Sequence, residues 1–231
     1  GPKPCSRMAE RGGPNVYTIP SHRAFADALA AGLIARHRDD RLALARTVVL
    51  LPNNRAQRTL TDAFVRRAEG GGLLLPRMVA VGDPELDERL GALLDPIDEV
   101  EPLPPAIDPL ERRLLLARLV QEAGLPVDAA EAMRLAADLA RTLDQLIVEE
   151  IAPAKLRDVV LPELSQHWQA SLTFLETILD RWPRLLAERG LLDLADRRNR
   201  LLDRAAQHLS GTIVAAGITT SAPAVARLLR S

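Results

Sequence analysis

Cysteine is almost missing: Cys5 is the one thiol in 231 residues. That excludes a disulfide framework and a cysteine-held metal cluster, and it fits a cytoplasmic protein. Lysine is nearly as scarce, confined to Lys3 and Lys155 although Lys and Arg together number 30. No glycine-rich turn carries either lysine, so a Walker A loop, which needs both, is excluded. Nor is there an unbroken apolar run of the kind a signal peptide or membrane span requires, and no membrane partner is expected. Neither charge sign dominates. A formal net charge of −1 argues against a globally basic nucleic-acid binder but leaves a local basic face open.

What is present suffices for a folded protein. Hydrophobic residues make up 47% of the chain, enough for one sizeable core or for one domain carrying an insertion. Gly1–Arg7 reads as a tag ahead of a start at Met8, and residues 1–14 as a disordered leader. Val16–Ile19 predicts a strand, after which Pro20-Ser21 opens a helix with Ser21 as N-cap and Phe25, Ala28, Leu29 and Leu33 on one face. The apolar run Thr47–Pro52 predicts a strand buried on both faces, followed by a helix with Ala56, Leu60, Ala63 and Phe64 on one stripe. Gly70–Gly72 suit a helix stop before a third strand in "LLLPRMVAVGD". This alternation implies a parallel sheet, the first part of an α/β domain over residues 15–83.

Residues 84–107, acidic and proline-rich, read as a linker. Asp83, Glu85, Asp87 and Glu88 lack a defined ligand frame and read as a solvated loop rather than a metal site. Residues 108–210 read as a helical insertion. It opens on Asp108-Pro109 with Glu111, and a later helix carries Trp168, Leu175, Leu179, Trp182 and Leu186 on one stripe, which makes the tryptophans core residues rather than base-stacking platforms. Thr212–Gly217 returns to strand character and Ala222-Pro223 starts a helix. Residues 211–231 are therefore expected to rejoin the α/β domain, truncated in mid-helix at Ser231.

Two places bear on chemistry. Ser21, His22 and Arg23 occupy the strand-to-helix turn where a phosphate site would lie, yet arginine there does not replace a P-loop lysine. The strand ending Ala215-Ala216-Gly217 supplies no carboxylate for magnesium. The second place is "LPNNRAQRTL": Asn54 stands at a strand-to-helix corner, and Arg55 and Arg58 share a helix face at i and i+3. Amide donors and guanidinium groups at a helix N-terminus suit a nucleic-acid phosphate, and Arg66 and Arg67 extend the positive stretch. A solvated face with Arg58 paired to Asp62 accounts for the same residues. The scattered histidines and the adjacent pair Glu149-Glu150 offer no catalytic spacing, so no catalytic or metal residue is assigned.

Taken in order, "VYTIPSHRAFADALAAGLIAR", "VVLLPNNRAQRTLTDAFV", "LLLPRMVAVGD" and "IVAAGITTSAPAVARLL" resemble the N-terminal part of the AddB subunit of bacterial AddAB helicase–nucleases, in the alphaproteobacterial style. The resemblance implies a superfamily 1 helicase-like, RecA-like α/β fold whose parallel sheet is interrupted by the helical insertion. It makes "PNNRA" similar to a helicase motif that meets the single-stranded DNA backbone, and carries that role to Asn54, Arg55 and Arg58. Departures at Pro20–Phe25 and at Ala215–Gly217 imply a degenerate phosphate site at Ser21, His22 and Arg23. The implied function is a noncatalytic, DNA-contacting region of a double-strand-break repair subunit, with DNA ends or single-stranded DNA and an AddA-type motor subunit as partners. The family's nuclease and its iron–sulfur cluster belong to a C-terminal domain, so no cofactor is expected of these residues. A free-standing adaptor that binds protein without DNA is the alternative.

Overall fold

The structure, a computed structural model, describes residues 15–68, 70–82, 102–123, 127–152, 155, 166–208 and 211–230, with side chains described for all of these but Arg41 and residues 166–174. It divides into two compact units, one of Gly1–Gly82 with Ser210–Ile218 and one of Asp83–Leu209 with Thr219–Ser231.

The first unit is α/β. All four residues of β1 (Val48–Leu51) are buried, as an apolar run without alternation requires. It lies between β2 (Arg77–Ala80) and β3 (Ile213–Ala215) in a parallel sheet of order β2-β1-β3, with Val49 level with Met78 and Val214. Around this sheet the unit places α1 (Phe25–Arg36), α2 (Arg41–Arg46) and α3 (Asn54–Arg67). Ala30 and Leu33 of α1, Leu60, Ala63 and Phe64 of α3, and Val49, Leu51 and Met78 of the sheet form one core. After α3 the chain stops as the glycines predict: Gly70 has φ +78°, and the Gly71 N–H donates to the Ala68 carbonyl at 2.7 Å.

Two local expectations in this unit are corrected. Val16–Ile19 forms no strand; Val16 is a single bridge residue, and Val16 and Tyr17 are 67% and 51% exposed. Without a buried face to fix register, the short run extends no ladder. Ser21 is not the N-cap. Residues 21–23 form a turn closed by the Arg23 N–H on the Pro20 carbonyl, and α1 begins at Phe25 behind Ala24, which offers no side-chain cap.

The second unit is helical. α4 (Pro109–Glu122) starts where the sequence places it, Asp108 accepting from the N–H groups of Leu110 and Glu111, and Asp128 caps α5 (Ala129–Val148) through the Glu131 N–H. Together with α6 (Gln166–Glu188) they bury Leu116, Leu119, Val120, Ala136, Leu143, Ile178, Trp182 and Leu186. Trp182 is thus a core residue, whereas the Trp168 side chain and the acids at 83, 85, 87 and 88 lie outside the described residues. Ile107, placed in the linker by composition, is 1% exposed in this core, and its N–H donates to the Leu192 carbonyl.

α7 (Leu194–His208) and α8 (Pro223–Leu228) complete the helical unit. Ala224, Val225 and Leu228 are buried, and the Arg227 guanidinium bonds Asp203 of α7 and Glu150 just beyond α5. Residues 219–231 therefore group with the helices, and only the strand of the expected 211–231 return belongs to the sheet unit. Among the described residues there are eight helices, none long and apolar enough to cross a membrane, and the helical segment stands in sequence between two strands of one sheet.

Candidate nucleic-acid interface

Ligands of open parallel sheets collect beyond the carboxyl ends of the strands, where loops and helix N-termini leave backbone donors free. The α/β unit builds such an edge at β1. Its chain leaves Leu51 through Pro52, and Asn53, in extended conformation, turns it into α3 by accepting the Ala56 N–H on Oδ1 at 2.9 Å. Asn54 and Arg55 are then the first two helical residues, both exposed, and Arg58 follows one turn on, also exposed. The helix thereby presents its positive dipole end and two guanidinium groups on one side.

The pair that would have neutralised this face is not made. Neither Arg55 nor Arg58 forms an ion pair among the described residues, and Arg58 does not join Asp62. Arg66 is corrected in the other direction: Nη2 donates to Asp27 Oδ1 at 2.8 Å, tying α3 to α1 and removing this guanidinium from the free positive stretch.

Ser21, His22 and Arg23, all exposed, form the turn ahead of α1. Phe25, two residues past Arg23, sets its ring against Gly217 at the exit of β3, where an added β-carbon would stand 3.7 Å from it. This contact brings the start of α1 to the exit of β3, the strand that pairs with β1. β3 ends in Ala215, the buried Ala216 and Gly217, without a carboxylate. No group of three or more possible metal ligands gathers among the described residues. Among its described residues the edge offers cationic and amide donors, and no hydrogen bond there joins an acid, base or nucleophile to another.

Two polar clusters in the helical unit escape motif reading. Asp193, 3% exposed, accepts from Arg112 Nε at 3.1 Å and from Trp182 Nε1 at 2.8 Å on one oxygen, and from the Ala195 N–H on the other. Arg112 Nη2 also donates to Asp144 at 2.8 Å. Burial pushes the Asp144 carboxyl above its ordinary range, against the pull of Arg112. In the second cluster, hydrogen bonds from Arg227 hold the Glu150 carboxyl below its ordinary range, and its two carboxylate partners raise the Arg227 guanidinium further still. An arginine in register with Leu116 and Leu119 on α4 was the only signal of the first cluster. In both clusters the charged groups bond one another within the helical unit.

No protein-family model matches the chain, and neither a curated protein nor a solved structure was found that matches it.

Proposed function

We propose that this chain is a noncatalytic, helicase-like region of an AddB-type subunit of a double-strand-break repair helicase–nuclease. In this reading the α/β unit is a RecA-like domain that guides single-stranded DNA or DNA ends, in a subunit that docks an AddA-type motor. The observation that carries it is the corner at β1: Arg55 in the first turn of α3 and Arg58 one turn on are exposed and without an ion-pair partner among the described residues, on a helix whose N-terminal backbone donors face the same edge. A first turn without a P-loop lysine and a β3 end, Ala215–Gly217, without a carboxylate support a scaffold rather than an ATPase, with Ser21, His22 and Arg23 as the degenerate phosphate turn. An iron–sulfur cluster does not fit these residues, because one cysteine cannot supply its ligands. The cluster and the nuclease go with other parts of such a subunit.

Phosphate contacts release counterions, so each one steepens the fall of affinity with salt by a slope of about 0.7–0.9. Arg55→Ala with Arg58→Ala is expected to weaken binding of a tailed duplex at low salt and to lower that slope by about 1–2. An unchanged titration would remove the DNA assignment. Leu110 and Leu114, 63% and 53% exposed one turn apart on α4, favour a second reading, a protein adaptor. It predicts stable capture of a partner subunit by a chain without DNA affinity.

A further inference from the structure

The exit of β2 lies against the β1–α3 loop more closely than any side chain permits. A β-carbon built on Gly82 would overlap the Pro52 carbonyl oxygen and stand 3.3 Å from the Pro52 carbonyl carbon. Glycine is needed here for close approach and not for a left-handed backbone, since the positive-φ glycines are 70, 190, 211 and 217. The strands on either side have little freedom to yield. One residue earlier the Val81 N–H donates to the Leu51 carbonyl at 2.9 Å, and Leu51 and Val81 are 2% and 0% exposed. On the β1 side an added atom is relieved in the loop, at Pro52 and Asn53, where the chain is partly or fully exposed. Asn53 caps α3, so moving it moves the turn that carries Asn54 and Arg55.

We propose that Gly82 is the positioning residue of the DNA-contacting corner: its missing side chain lets the end of β2 brace the Pro52 carbonyl and so fixes where Arg55 and the first amides of α3 stand. This rests on the DNA reading above. The brace is independent of charge, and Gly82 itself touches no nucleic acid.

The test compares the full chain with Gly82→Ala and with Gly72→Ala, whose β-carbon meets nothing within 4 Å. A fluorescent duplex with a single-stranded tail is titrated at several salt concentrations, and unfolding is followed in parallel. Gly82→Ala is expected to weaken binding about tenfold, in the range of one charge-assisted contact, and to flatten the salt dependence while keeping a cooperative unfolding transition. Gly72→Ala is expected to bind as the native chain does. Adding Arg55→Ala to Gly82→Ala should then cost less than about twofold, because the displaced guanidinium no longer reaches the phosphate. A merely structural glycine would leave the Arg55→Ala effect at full size in both backgrounds. Native affinity in Gly82→Ala, with Arg55→Ala and Arg58→Ala still harmful, overturns the positioning role and leaves the DNA reading standing. Loss of the cooperative transition in Gly82→Ala overturns it too, because the displacement would then not be local. If the arginine variants bind normally, the DNA reading fails and takes this proposal with it.

Discussion

At the scale of single residues, the decisive side chains are arginines, and their surroundings set three different fates. Arg112 is 5% exposed and shares Asp193 with Trp182; removing it leaves a buried carboxylate short of its charge partner. Arg112→Ala is expected to destabilise the helical unit by about 3–5 kcal/mol in urea unfolding, and a loss under about 1 kcal/mol would contradict the buried pair. Arg227 is held at the surface by Glu150 and Asp203, while Arg55 and Arg58 are unengaged by acids among the described residues. Two carboxylates then respond to pH with opposite signs. Asp144 titrates above its ordinary 3.8 when folded, so its contribution to stability declines as pH rises from that value through the folded one. Glu150 titrates below its ordinary 4.5, so its contribution is present above 4.5 and is lost as pH falls through the folded value. Relative to the native chain, Asp144→Asn should gain stability and Glu150→Gln should lose it as urea midpoints are taken from about pH 3 to 7. Slopes of the same sign in both variants would contradict these environments.

At the scale of elements, helix starts follow local chemistry where the cap is adjacent in sequence. Asp108 accepts two N–H groups of the turn it precedes, and Asp128 and Asn53 accept one each. Asp108 before Pro109 was legible because capping needs only the next three residues. α1 shows the opposite case: Ser21 has the right chemistry, but the Pro20–Arg23 turn intervenes and Ala24 occupies the cap position without a side-chain acceptor. Thermal unfolding should show Asp108→Ala less stable by about 0.5–2 kcal/mol and Ala24→Ser more stable by up to about 1 kcal/mol. A neutral Asp108→Ala would mean that the cap bond is not formed in solution.

At the scale of the whole molecule, the two units have separate cores and only one of them contains tryptophan. Trp168 and Trp182 both fall within Asp83–Leu209, so indole fluorescence reports on the helical unit alone. Leu116 and Phe64, each 0% exposed, anchor the helical and α/β cores respectively. Leu116→Ala should lower the fluorescence transition by about 2–5 kcal/mol, and Phe64→Ala should lower circular-dichroism stability by about 3–5 kcal/mol while moving the fluorescence transition much less. Equal shifts by both probes in both variants would show one cooperative unit instead of two.

The sequence by itself determined the class of most segments, because hydrophobic period, caps and glycine stops are local: the buried run at β1, the stripe of α3, the start of α4, the parallel pairing of strands and the helical stretch between two of them. It also placed Asn54, Arg55 and Arg58 at a strand-to-helix corner. Only tertiary structure decided which charges remain free, since Asp27 reaches Arg66 across 39 residues while Asp62, one turn from Arg58, stays apart. It alone decided that Arg112 is interior, through an acid 81 residues away, and that residues 219–231 group with the helices. The tight approach of Gly82 to Pro52 is likewise a contact between neighbouring strand ends, and no local pattern of residues encodes it. Pairings of this kind depend on distances closed by the fold, and a one-dimensional pattern carries no such distances.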